Sequence, residues 1–314
     1  MLETWLTEQF DIKYPIIQAP MFLITNEEML LAASRAGIMG AIPALNFRTS
    51  RELRTGLRSI KEKISGPFGV NLVTNKSNLL LKQQIKICQE IEPAFIITAL
   101  GDPSMVNEAF RGKSTKILCE VTNLKYANKA VSSGADALIA LNSAAGGHRG
   151  TLPSSILVPS LKNEFKLPVI SSGGVGTASA LKSSIMLGAQ GVCVGTIFIS
   201  CTESPVSQAY KQACIEYGAD DIVLTTKISG VPCTVIKTPY VEKIGVHQNP
   251  IEAYLNRHRR IKKISKIVTG VKGMNILKKS AFSTTYKTVW CAGPTIEFVS
   301  DVLTTEQIVQ SLVL

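Results

Sequence analysis

Residues 143–150 read SAAGGHRG and place one of only three histidines of the chain, His148, between glycines. An imidazole that titrates near neutrality can take up a proton or hold an anion. Its neighbours leave it open space rather than packing partners, which points to chemistry more than to a core role. His247 and His258 lie further along, in a stretch without clear periodicity, and are expected at the surface.

A second constellation is SSGGVGTASA, residues 171–180, followed at 194–196 by VGT. Adjacent glycines let main-chain N–H groups approach an anion, and the helix that opens at ASA adds a favourable dipole. Such turns after the seventh and eighth strands of a barrel make a phosphate site. They do not name the phosphate, which can belong to a sugar or to flavin mononucleotide. QAPM at 18–21 offers backbone groups and a flat apolar Met21, which suits stacking under a flavin ring.

These residues need a frame. Eight short apolar runs recur through the first two-thirds: YPIIQAP, IMGAIPA, FGVNL, AFIITAL, KILCEV, DALIAL, PVISSG and GVCVGT. Amphipathic stretches such as SRELRTGLRSIKEK alternate with them. The runs are continuously apolar, as parallel strands covered on both faces should be. Eight units over about 200 residues predict a TIM (β/α)8 barrel, an α/β fold, with its site at the C-terminal ends of the strands. Those ends hold Gln18 to Met21, Asn71, Thr98, Glu120, residues 142–150, residues 172–176, Gly195 and Thr196. Gly37, Gly134 and Gly188 each precede a strand and are expected as left-handed helix ends. The rhythm stops after Thr196. The expected organisation is a barrel at 1–202, an inserted cap or substrate domain at 203–286, and a last helix at 287–314 that returns to the barrel.

Composition narrows the class. Of 314 residues, 45% are hydrophobic and 18% charged, enough for a sizeable core. No apolar run nears the roughly 18 residues of a membrane span, and MLETWLTEQF lacks a basic leader region. The seven cysteines form no C-x-x-C pair, so neither a disulfide framework nor a metal site is expected, and the thiols should be free as in the cytoplasm. Net charge is +11, and residues 256–279 hold nine Lys or Arg and no acid. That segment suits a solvated helix face or an acidic partner. It has no interleaved aromatic, so nucleic acid is not expected.

Together PIIQAPM (15–21), PFGVNL (67–72), EVTNLKYANKAVSSGADALIA (120–140), AAGGHRG (144–150), PVISSGGVGTASAL (168–181) and LGAQGVCVGTIF (187–198) resemble the nitronate monooxygenase family, formerly called 2-nitropropane dioxygenases. ISGVPCTVI (228–236) is similar to a later segment of one branch. The resemblance runs nearly end to end, and AGGHRG is its most specific piece. It implies an FMN-dependent enzyme that oxidises alkyl nitronates, such as propionate 3-nitronate, with O2 to a carbonyl compound and nitrite. By position it puts Ala19, Pro20 and Met21 against the flavin, Asn71 and Gly146 beside it, and Gly173, Gly174, Val175, Gly195 and Thr196 around the phosphate. His148 matches the family's active-site histidine, and Arg149 has two expected placements, solvent or the cofactor.

The chain departs from the pattern at Leu141, where many members have glutamine, and at Pro294, where a glutamine is common. Glu120 can reach a ribityl hydroxyl, but not repeat the anion contact of the lysine found there in a related quinone-reductase group. The same flavin barrel serves NAD(P)H-dependent reductases of quinones and of enoyl-acyl carrier protein, for which the basic segment would meet an acidic carrier or a nicotinamide phosphate. A non-catalytic phosphate-binding protein is a third reading, disfavoured by Glu120 and His148 at strand ends.

Overall fold

The computed structural model describes residues 3–227, 232–247, 278, 280–282 and 288–314. The basic run, with His258, lies almost wholly outside the described residues, as do residues 228–231 of the ISGVPCTVI motif.

All eight apolar runs form strands of one closed parallel barrel. They are β1 (Ile16–Gln18), β2 (Met39–Pro43), β3 (Phe68–Val73), β4 (Phe95–Ala99), β5 (Lys116–Val121), β6 (Ala137–Leu141), β8 (Val169–Ser172) and β9 (Val192–Val194). A two-residue strand, β7 (Gly147–His148), lies outside the barrel. Closure is made by β1 against β9, with Ile16 opposite Val192 and Gln18 opposite Val194. The TIM barrel expected from the sequence is therefore the fold.

Alternation within the strands divides the apolar residues into two layers. Ile17, Met39, Ile97, Leu118, Ile139 and Ile170 fill the interior. Ile42, Val70, Ile96, Cys119 and Leu138 meet the surrounding helices. Both layers are almost fully buried, which explains why the strands read as unbroken apolar runs. Each such side chain contributes about 1.5–3 kcal/mol of transfer free energy. Helix α1 (Trp5–Phe10) plugs the N-terminal end, where Phe10 meets Phe95 edge to face at 5.5 Å. That end is closed, so chemistry is confined to the other.

The helices follow from their sequence signals. In α3 (Ser50–Lys63), Thr49 caps the first turn, and Leu53, Leu57 and Ile60 form the buried stripe. Gly37, Gly134 and Gly188 have φ of 78°, 98° and 104° and end α2 (Glu27–Arg35), α6 (Leu124–Ser133) and α8 (Ala178–Met186). Each donates three residues back while the next residue donates five back, the paired bonds of a Schellman end. The C-terminal helix (Thr305–Val313) buries Ile308, Val309 and Leu312 and packs between α2 and α8. The Glu203 carboxylate accepts from its first amide, Thr305 N–H. No described helix is long and apolar enough to cross a membrane.

Between β9 and that helix, β10 (Ile222–Thr225) and β11 (Cys233–Ile236) pair antiparallel, and β11 pairs in turn with β7. The 203–286 segment thus reaches back to the histidine loop, a connection absent from the sequence-based expectation.

Candidate active site

The two glycine turns stand side by side at the C-terminal ends of β8 and β9. Gly173 and Gly174 have φ of 106° and 78°, a region L side chains adopt only under strain. A Cβ on Gly173 would sit 2.5 Å from Ala145 N. Thr177 then caps α8 by accepting from Ala180 N–H. Among the described residues, the amides of Gly174, Val175, Gly176, Gly195 and Thr196 donate to no protein acceptor. Three of these N–H groups precede the α8 N-terminus and two lie in the adjoining turn after β9, and together they form a site for an anion such as phosphate. Val175 offers its main chain only, because its side chain is buried in the outer core.

Asn142, just past β6, fixes these turns. Its Nδ2 donates to Gly173 O at 2.8 Å, and its Oδ1 accepts from Ala144 N–H at 2.8 Å. Its backbone donates to Ser172 O and accepts from Gly150 N–H. One buried side chain thereby ties the histidine loop to the phosphate-type turn.

Beside the turns lies the loop after β1. Thr25 orders it by accepting from Met21 N–H and donating to Ala19 O, with Pro20 between them. A Cβ on Gly195 would lie 3.4 Å from both Ala19 Cβ and Met21 Sδ. Ala19, Met21 and Gly195 therefore form one apolar contact, half-open at the barrel mouth.

Asn71 and Glu120 extend the inward-facing rows above the interior layer. Asn71 donates through Nδ2 to Ile97 O and keeps Oδ1 as an acceptor. Burial pushes the Glu120 carboxyl up to about 7, so near neutrality it is partly protonated and can donate or accept. Burial raises the Cys193 thiol, and the Glu120 charge adds to that rise.

His148 is placed by pairing. Cys233 lies opposite it and Thr234 opposite Gly147. Thr234 Oγ1 also donates to Gly147 O at 3.4 Å. Burial holds the half-buried imidazole below its ordinary 6.5, which favours the neutral ring at pH 7. The Arg149 guanidinium donates through one nitrogen to Ser143 O at 2.6 Å. Gly146 is needed by the protein itself, since a Cβ there would lie 2.9 Å from both Gly293 N and Thr196 Oγ1. Gly293 N–H donates to that Thr196 hydroxyl. Gly147, with φ of 70°, has open space around it.

The structure thus brings Gly146 against Thr196, Gly173 against Ala145 of the histidine loop, and Gly195 against Ala19 and Met21. His247 is exposed beyond α10 (Pro239–Ile244). No group of three metal-ligating side chains occurs among the described residues. Sequence reasoning placed Asn142 and Ser172 at strand ends on the active face but gave them no role; their position at the ends of adjacent barrel strands was the only available signal.

The family model for nitronate monooxygenases matches residues 3–314. A probable nitronate monooxygenase of Staphylococcus saprophyticus is 29% identical over 298 residues, covering 81% of this chain and 84% of that protein. A (3aS,4S,5R,7aS)-5-hydroxy-7a-methyl-1-oxo-octahydro-1H-indene-4-carboxyl-CoA dehydrogenase of Mycobacterium tuberculosis is 28% identical over 246 residues, covering 77% of this chain and 68% of that one. Among solved structures, FabK from Thermotoga maritima superposes with a TM-score of 0.84 at 23% identity, over 99% of this chain and 95% of its own.

Proposed function

The chain belongs to the nitronate monooxygenase family and is a flavin oxidoreductase; on that premise we propose that its flavin is FMN and its reaction the oxidation of an alkyl nitronate by O2 to a carbonyl compound and nitrite. The observation that carries this reading is the placement of His148, held by the β7–β11 pair in a loop that touches Thr196 of the phosphate-type turn.

The residues present fit FMN. The five uncommitted amides of residues 174–176, 195 and 196 would hold its phosphate. Ala19, Pro20 and Met21 would give an apolar floor for the ring, and Asn71 Oδ1 and the Glu120 carboxyl would take polar contacts below it. Bound there, FMN supplies an acceptor for the substrate's electrons and a donor to O2. The neutral His148 ring can take a proton from a nitroalkane carbon. For a substrate that arrives as the nitronate, its N–H instead donates to a nitro oxygen and orients the anion. We assign the described part of 203–286 to a cap, because its β11 supports the histidine strand. Free thiols at all seven cysteines fit a reducing compartment such as the cytoplasm.

The test is direct. Purified protein should be yellow and release FMN on denaturation. In air it should convert propionate 3-nitronate to nitrite and a carbonyl product. A colourless protein that takes up no FMN would reject the cofactor assignment.

A further inference from the structure

Residues 288–298 form a return segment that brings the chain back to the barrel and ends in a short helical turn, Pro294–Phe298. It is fixed against both phosphate-type turns. Gly293 N–H donates to Thr196 Oγ1 at 3.0 Å. A Cβ on Gly176 would lie 2.5 Å from Phe298 Cδ2 and 3.3 Å from Thr295 Cβ, so only a glycine lets Pro294–Phe298 sit this close. Ala292 and Ile296 are buried in the outer core and hold the segment in place. Thr295 is thereby set against the turn whose amides are uncommitted.

We propose that Thr295 completes the phosphate site, its hydroxyl donating to a phosphate oxygen of the flavin nucleotide; this rests on the reading of the cofactor as FMN. Thr295 is only 7% exposed, and its hydroxyl has no hydrogen-bond partner among the described residues. Unlike Ser171 Oγ, which is unpaired and enclosed, the Thr295 oxygen keeps an open side. A buried hydroxyl without a partner is unfavourable. Its unpaired neighbours across the contact, the amides of Gly176 and Thr196, are donors as well. A ligand that satisfies all of them at once must offer several acceptor oxygens, as a phosphate does.

The hydroxyls nearby are used differently. Thr177 Oγ1 accepts from Ala180 N–H and caps α8. Thr196 Oγ1 accepts from Gly293 N–H, which leaves its own proton for the same anion. Within the return segment the Gly293 amide is spent on that bond, and Pro294 has neither a polar side chain nor an amide hydrogen. Thr295 is therefore the first residue after Gly293 that can donate. Riboflavin has no phosphate, so this contact separates the nucleotide from the unphosphorylated flavin.

The experiment titrates flavin-free, full-length protein with FMN and with riboflavin and follows the quenching of flavin fluorescence. Thr295→Val keeps the shape that packs on Gly176 and removes the donor. It should weaken FMN by about ten- to a hundredfold, the range for a hydrogen bond to a charged group, and leave riboflavin unchanged. Thr295→Ala removes the same donor with a smaller side chain and should show the same selective loss. Thr295→Ser restores the donor and should bind FMN as the wild type does. Unchanged FMN affinity in the valine and alanine variants, an equal loss of riboflavin in both, or the same FMN loss in Thr295→Ser would overturn the proposal. In each of those outcomes the wild type still binds FMN; a wild type that binds none would reject the cofactor reading, and this contact with it.

Discussion

Cys233 and His148 lie directly opposite one another across the β7–β11 pair. The loop that carries the histidine is thus the third strand of a sheet built from residues after the barrel. The barrel alone supplies the phosphate-type turns; the later segment supplies the support for His148. Orientation of the ring and capture of the flavin are therefore separable by mutation.

Replacing His148 with alanine should leave FMN bound, because the five uncommitted amides lie in other turns. Nitronate turnover should fall by about 10²–10⁴, the usual contribution of a positioned acid or base. Flavin content and steady-state nitrite release measure the two effects. Unchanged turnover would reduce His148 to a structural residue.

Glu120 gives a pH signature. Burial raises its pKa from 4.5 to about 7, so between those values the folded chain holds a proton that the unfolded chain has released. Its contribution to stability is intact below pH 4.5 and lost as pH rises to about 7. Glu120→Gln cannot ionise. Its stability relative to wild type, from urea unfolding of flavin-free protein, should rise over that window and level off at no more than about 3 kcal/mol. A difference independent of pH would contradict a buried, partly protonated Glu120.

Asn142→Ala removes the bonds to Gly173 O and Ala144 N–H. The loss of both should cost about 1–3 kcal/mol. Loosening of the turn should weaken FMN about tenfold, equivalent to about 1.4 kcal/mol. Asn142→Asp keeps the acceptor for Ala144 but sets a negative charge beside the phosphate turn, and should weaken FMN further. Calorimetric titration with FMN tests the order. Equal affinity in all three proteins would remove Asn142 from the site's support.

The barrel was legible because its strands are buried on both faces, so each reads as an unbroken apolar run bounded by turn residues. The glycine turn was legible for a related reason: Gly173 and Gly174 both need a positive φ that other residues avoid. The β7–β11 pair was not. Two residues are too few to show a period, and Cys233 lies 85 positions from His148. Asn142 read only as one of the strand-end residues, since one asparagine does not reveal which carbonyl its amide will meet. The resemblance puts Gly146 beside the flavin; the fold adds a reason for glycine there that no local pattern shows, since the return segment at Ala292 and Gly293 closes on it.

The central claim is that the flavin takes its electrons from a nitronate. Anaerobic stopped-flow mixing of the FMN-loaded protein with an alkyl nitronate, and separately with NADH or NADPH, tests it most directly. The account predicts rapid bleaching of the flavin's visible absorbance by the nitronate alone, with the oxidised spectrum persisting beside either nicotinamide. Fast bleaching by NADH or NADPH, with no response to the nitronate, would contradict it and assign the chain to a reductase reaction instead.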